Sequence, residues 1–275
     1  MRAMFRAAAL ALFAFASLFA RAADPVAFVS DFKGEVVLNG AGRPAFLAEL
    51  LPGSTLALGE RATASVMYVV SGVEYAIKGP GEFLAGREGV TAVRGSPPTS
   101  RVPPLRASER VLVRTSRTAT ASLRMRSAPV PRAAKAGPVY PLDARIANLQ
   151  PTLRWMGEPG AEYSIVVSTA AGQEVHRGKS RGLSLRLPQR LEAGRAYSWS
   201  VSLGEKALGE ARFETLGSDV VASAERARAG AKGFADRVLL ALVLQDLGAS
   251  QDSREVWAEL AAERPDIPEL AGLSR

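Results

Sequence analysis

The chain has 275 residues, 47% of them hydrophobic, with a formal net charge of +8 and no cysteine. The missing cysteines exclude disulfides, Cys-ligated zinc and thiol catalysis, so stability has to come from packed cores, and the length suffices for two or more small domains. The positive charge is concentrated: Arg94 to Lys135 holds ten basic residues against Glu109 alone, a local net of +9.

Residues 1–22 read as a secretory signal peptide. Arg2 and Arg6 form a short basic region, Ala7 to Ala20 is an apolar run with only Ser17 polar, and Ala20-Arg21-Ala22 offers small residues where a signal peptidase needs them. The run has 14 residues, short of the roughly 20 that span a bilayer, and no later stretch is long and apolar enough to cross. Cleavage after Ala22 is therefore expected, with no stable transmembrane segment afterwards. A retained, membrane-anchoring N-terminus is the alternative. Removal of residues 1–22 takes away three arginines and leaves +5, so everything outside the basic segment sums to −4. Export and this localised charge together argue against nucleic acid as a partner.

From Val26 the pattern is one of short strands with turn punctuation, placed in a β domain over 23–95. Phe28 to Ser30 leads through Gly34 into Glu35 to Leu38, and Asn39-Gly40 is the strongest short hairpin signal in the chain. Pro52-Gly53 delivers Ser54 to Leu58, and Gly59-Glu60 turns into Thr63 to Val70. Two β-rich runs then flank Ser71-Gly72, and Gly79-Pro80-Gly81 closes the second, which predicts a hairpin followed by a sharp corner.

The order Lys33-Gly34-Glu35-Val36, Leu51-Pro52-Gly53-Ser54-Thr55-Leu56, Ala62 to Val66, Gly72-Val73-Glu74-Tyr75 and Gly79-Pro80-Gly81-Glu82-Phe83 resembles the FecR-like domain, over about a quarter of the chain. That resemblance implies a periplasmic β module, best known from iron-dicitrate signal transducers. The transducers carry a cytoplasmic anti-sigma region and a membrane span ahead of the module, where only a signal stands here. Direct sigma-factor control is therefore not implied.

Residues 96–138 read as a Pro/Arg-rich linker. Pro97-Pro98 and Pro103-Pro104 suggest a polyproline-like connection, and alternation over 110–126 predicts two extra strands with arginines on the outward positions. Arg110, Arg114, Arg124 and Arg126 are thereby candidates for a partner surface toward anionic groups. A solvated edge pair, its charges discouraging strand-to-strand association, is the structural alternative.

Residues 139–217 predict a second β domain. Thr152 to Trp155, Ala161 to Ser168, Gln173 to Arg177, Leu183 to Leu187, Leu191 to Val201 and Ala211 to Thr215 make about seven strands with regular turns, as in an immunoglobulin-like or fibronectin type III-like sandwich. Pro151 to Trp155 and Leu191 to Trp199 resemble the Ig-like domains that commonly follow FecR-like modules. Trp155, Tyr163, Tyr197 and Trp199 stand at alternating positions, which places them in a core; a sugar-stacking surface is the competing use, with Trp199 its candidate contact.

Residues 218–275 change to helix formers. Val220 to Lys232 is Ala- and Arg-rich, Val238, Leu239, Leu242 and Val243 share a helical stripe ended by Gly248, and Ser250 or Asp252 can cap a third helix carrying Val256, Trp257 and Leu260. The last two helices resemble a single tetratricopeptide-type pair. One such unit cannot bury both faces, so it should pack on the sandwich, cap a dimer or receive a partner helix, with Trp257 a candidate contact.

Chemistry-bearing motifs are scarce. His176 is the only histidine, on a predicted strand, which leaves no multi-His metal site. Gly172 to Ser180 superficially follows a phosphate loop, but its glycines are one residue too far apart and no helix follows. The whole is expected to be a mainly β, non-enzymatic periplasmic protein without cofactor. It would bind another envelope protein in signalling or assembly; a peptidoglycan or polysaccharide binder, or an anchored sensor subunit, are the other readings.

Overall fold

The computed structural model describes residues 24–124 and 136–274. Its mainly β architecture is built from antiparallel sheets, with short helices at the C-terminal end. The first β unit has nine strands: β1 (Ala27–Lys33), β2 (Val36–Leu38), β3 (Glu49–Leu50), β4 (Thr55–Leu58), β5 (Thr63–Tyr68), β6 (Glu74–Lys78), β7 (Gly81–Ala85), β8 (Val90–Arg94) and β9 (Thr99–Arg101). They form two sheets, β3-β1-β5-β6-β9 and β2-β4-β7-β8. Both sheets line one core, in which Val29, Phe32, Val66 and Ile77 of the first meet Leu56, Leu58 and Phe83 of the second.

The hairpin and corner lie where the turn residues put them. β5 and β6 pair antiparallel around Ser71-Gly72, and Gly79 to Gly81 carries the chain from the first sheet into the second. A Cβ on Gly79 would come within 2.0 Å of the Gly59 carbonyl oxygen, so the two turns can meet only with glycine there. Asn39-Gly40 behaves differently from the expected hairpin. Both residues adopt the left-handed turn conformation (φ 51° and 66°), but β2 pairs with β4, so the turn leads away into the other sheet. Asn39 Oδ1 instead accepts the Thr55 N–H at 2.8 Å, fixing β4 beside the turn.

β1 and β5 are covered on both faces. A bulge between Val29 and Asp31 shifts the register of β1, so Ala27, Val29 and Phe32 face the sandwich core while Phe28, with Met67 of β5, faces the helices. A strand buried on both sides reads as a continuous apolar run, which is the pattern of Val66-Met67-Tyr68.

Residues 96–138 are not simply a linker. β9 adds an edge strand to the first sheet through Glu74 to Ala76. In place of the two strands expected over 110–126 there is one helix, α1 (Glu109–Arg124). Its buried positions, Val111, Leu112, Thr115, Ser116 and Ala119, recur at helical spacing. Three of the five are small or hydroxylated, so the stripe does not stand out as apolar, and the Val-Leu-Val flanked by arginines imitates strand alternation. Ser108 starts the helix: its Oγ accepts the Val111 N–H.

The second β unit contains β10 (Gly137–Tyr140), β11 (Ala144–Ile146), β12 (Thr152–Met156), β13 (Tyr163–Thr169), β14 (Glu174–Ser180), β15 (Ser184–Arg186), β16 (Ala196–Leu203) and β17 (Lys206–Thr215). A three-stranded sheet, β10-β12-β15, faces a five-stranded sheet, β11-β17-β16-β13-β14, with β11 and β17 parallel. Between them lie Leu153, Trp155, Tyr163, Ile165, Tyr197, Trp199 and Phe213.

α2 (Ser218–Gly230), α3 (Phe234–Asp246), α4 (Ser250–Glu263) and α5 (Glu269–Leu273) follow. Gly248, at φ +80°, turns the chain out of α3. Ser250 and Asp252 do not cap α4, whose N-cap is Ala249 without a side-chain bond. Asp252 points away toward the second β unit instead. The helices and α1 build a third core that draws Phe28, Phe46, Leu47 and Met67 from the first β unit and Ala147, Leu149 and Leu216 from the second. The helical unit thus covers its second face with a helix from its own chain and with both β units. Among the described residues, no helix is long and apolar enough to cross a membrane.

Candidate functional site

The arrangement rests on charged groups that reach between units. Arg264, just past α4, donates from Nη1 to Asp31 Oδ1 at 2.6 Å, from Nη2 to the Phe32 carbonyl at 2.8 Å and from Nε to Asp266 Oδ1 at 2.8 Å. Its guanidinium also stacks 5.1 Å from the Phe234 ring centre. The bulge in β1 is what presents Asp31 and the Phe32 carbonyl to it. The bonds it donates to Asp266, ahead of the opposing effect of burial, and to Asp31 raise the Arg264 pKa further above its ordinary value. Glu269 accepts the buried Phe46 N–H at 3.1 Å.

Arg101, at the end of β9, bridges Glu74 at 2.5 Å and Asp236 at 2.9 Å. Burial by itself would raise the Asp236 carboxyl, but the bonds from Arg101 and the Gly233 N–H outweigh it and hold the group below the usual carboxylate range. Asp252 shows the reverse balance. It accepts the Ala147 N–H at 2.7 Å and an Arg228 N–H at 2.6 Å, yet burial dominates and pushes its carboxyl up. Arg154 pairs with Glu255 nearby, and Gln251 exchanges two hydrogen bonds with the Leu142 backbone.

At this second contact lies an open cleft of about 840 Å³. Its floor is the outer face of the five-stranded sheet, and strand parity decides what is displayed there. Tyr197, Trp199 and Val201 of β16 point into the core, so Ala196, Ser198 and Ser200 point out. On β17 the outward residues are Glu210, Arg212 and Glu214, and the register sets Arg212 opposite Ser198. Small residues on the central strand beside long charged ones on its neighbour make a depression with a charged wall. The Gly248 turn and the first turn of α4, with Ser250 and Arg254, form the other side.

Six charged side chains line the cleft: Asp143, Arg145, Glu210, Arg212, Glu214 and Arg254. Arg145 and Glu214, partners on the adjacent parallel strands β11 and β17, pair at 3.5 Å. Asp143, Glu210, Arg212 and Arg254 have no ion-pair partner among the described residues, nor do the Ser198 and Ser250 hydroxyls bond another side chain there. Such a set offers charge and hydrogen bonds to polar groups entering the cleft. It contains no histidine or cysteine, and no cluster of three potential metal ligands occurs among the described residues.

The residues singled out from sequence fall elsewhere. Trp199 is 1% exposed and its Nε1 donates to the Pro141 carbonyl at 2.8 Å; it is a core residue, as are Trp155, Tyr163 and Tyr197, and stacks no ligand. Trp257 is 2% exposed and meets Phe46 edge to face at 6.1 Å, so it holds the helices to the first β unit and presents no partner surface. Arg114 is exposed on α1. Arg110 and Arg124 belong to the same helix, and Arg126 lies outside the described residues. His176 stands on β14, opposite Val167.

The cleft was not visible in the sequence because its walls come from Leu142 to Arg145, Ala196 to Ser198, Glu210 to Glu214 and Gly248 to Arg254, which share no spacing. The one local signal was the serine-rich alternation of Tyr197 to Leu203, which marks a strand whose outer face is small and polar. No protein-family profile matches the chain, and no curated protein matches it.

Proposed function

We propose that this is an exported, non-enzymatic binding scaffold of the cell envelope, in which a FecR-like module and an Ig-like module are held in fixed relation by the helical unit. The carrying observation is the shared third core, to which both β units contribute buried side chains. Tethered modules that move independently need no such core, whereas a scaffold that presents a composite surface does. Buried cross-unit bonds at Arg264, Glu269 and Asp252 support the same reading. The cleft between the second β unit and α4, with four charged side chains that lack ion-pair partners among the described residues, is taken as the binding surface.

The export signal and the FecR-like order of turns favour the periplasm, with another envelope protein as partner. Photo-crosslinking from a probe at Arg254 in intact cells is the test. A discrete crosslinked envelope protein is expected. Recovery of the full-length, uncleaved chain from the cytosol, with no crosslink, would refute the proposal.

A further inference from the structure

The cleft's charges specify a ligand class, an inference that rests on reading the cleft as a binding site. Once Arg145 and Glu214 neutralise each other, two carboxylates, Asp143 and Glu210, and two guanidiniums, Arg212 and Arg254, remain without ionic partners among the described residues. A uniformly anionic ligand would face the two carboxylates, and a uniformly cationic one the two guanidiniums. Each mismatch is penalised in a partly enclosed site. A ligand with both signs satisfies all four. The volume of about 840 Å³ lies within the roughly 300–1,000 Å³ typical of small-ligand sites, large for a single amino acid and suited to a few residues.

The aromatic inventory separates peptide from glycan. Sugar rings are commonly held by stacking on exposed aromatic faces, but here Tyr197 and Phe213 stack on each other at 5.5 Å beneath the floor, 4% and 3% exposed. What the floor and rim offer instead are the hydroxyls of Ser198 and Ser250 and the guanidinium forks, groups suited to carboxylates and amides. We infer that the cleft binds a short zwitterionic peptide, with Arg212 and Arg254 receiving its carboxylates and Asp143 and Glu210 its ammonium group. Its walls belong to different units, so an occupant would also bridge the second β unit and α4.

The experiment is calorimetric titration of the signal-less full chain with the tripeptide Ala-Glu-Lys, its N-acetylated and C-amidated forms, and a β-1,4-linked N-acetylglucosamine tetramer. Saturable binding of the free tripeptide is expected, weakened about tenfold by blocking either terminus, since a hydrogen bond to a charged group is worth on the order of one such factor. Arg254→Ala and Arg212→Ala should each weaken it similarly with unchanged melting curves. Ser198→Tyr, which fills the floor, should abolish it and covers the case in which an arginine variant fails to fold. No saturable peptide binding, equal binding of blocked and free forms, or binding of the glycan alone would each overturn the inference. If peptide binding fails but crosslinking to an envelope protein from the Arg254 probe persists in Arg212→Ala, the scaffold reading survives and only the peptide assignment is lost.

Discussion

The helical unit meets the two β units in different ways. Against the first it places Trp257 on Phe46, buries Phe28, Leu47 and Met67, and threads the Arg264 guanidinium into the β1 bulge. Against the second it buries only Ala147, Leu149 and Leu216 and relies on polar bonds through Asp252, Gln251 and Glu255. The first contact is therefore continuous with a core, and its strength scales with buried apolar area. The second is thinner and polar, and the open cleft borders it. A binding surface set where packing is weakest can adjust to an occupant while the rest of the scaffold stays fixed.

The largest test of this contrast is Phe46→Ala. Phe46 is fully buried under Trp257, and truncating such a residue costs about 4 kcal/mol through lost burial and the cavity left behind. Urea unfolding should show a lower midpoint and, because the first β unit and the helices share this core, a single transition for both. Separate transitions would break the claim of continuity. Arg264→Met comes next. It leaves Asp31, Asp266 and the Phe32 carbonyl without their donor in a site where Arg264 is 8% exposed, a loss of about 3 kcal/mol. An unchanged midpoint would show that the guanidinium is dispensable to the contact.

The two buried aspartates give opposite pH signatures. Asp236 is held below the usual carboxylate range, so its contribution is complete above the unfolded value, about 3.9, and is lost as pH falls through the folded one. Asp236→Asn should cost about 2 kcal/mol at pH 7, and its deficit against wild type should shrink in acid. Asp252 has its folded carboxyl pushed up, so ionisation opposes folding and its net contribution grows as pH falls from above the folded value toward the unfolded one. Asp252→Asn keeps an acceptor for the Ala147 N–H and should cost about 1 kcal/mol at pH 7, with a deficit that widens in acid. Unfolding midpoints of both variants at pH 7 and at about pH 2, below the unfolded carboxylate value, check the signs. Parallel pH dependence would erase the distinction between the two contacts.

Many strands and turns of both β units were legible because period-2 alternation and Gly, Pro and Asn punctuation are local signals, but β9, β10 and β11 were not read and Asn39-Gly40 does not close the hairpin it signals. The hairpin at Ser71-Gly72 and the corner at Gly79 follow from those signals directly. α1 was not legible, since Thr115, Ser116 and Ala119 do inward work that pattern reading reserves for large apolar residues. Nor were the contacts: Arg264 and Asp31 are 233 positions apart, and a charged residue in sequence carries no mark of its partner. Trp199 and Trp257 illustrate the same limit from the other side. An aromatic stripe shows that a face is apolar, and only the packing of the units decides that it is covered.

The smallest effect is expected at the rim of the second contact. Arg190, in the loop before β16, pairs with Glu225 of α2 at 2.7 Å, and the two side chains are 54% and 44% exposed. Water and salt screen such a pair, and ordering two long side chains offsets much of the attraction. Arg190→Ala should therefore leave the unfolding midpoint unchanged at low and at high ionic strength alike. A salt-sensitive loss would mean that the second contact draws on its exposed charges because its buried ones are too few. In that case the freedom assigned to the cleft would depend on ionic strength, and peptide affinity in the same variant would fall in step with stability.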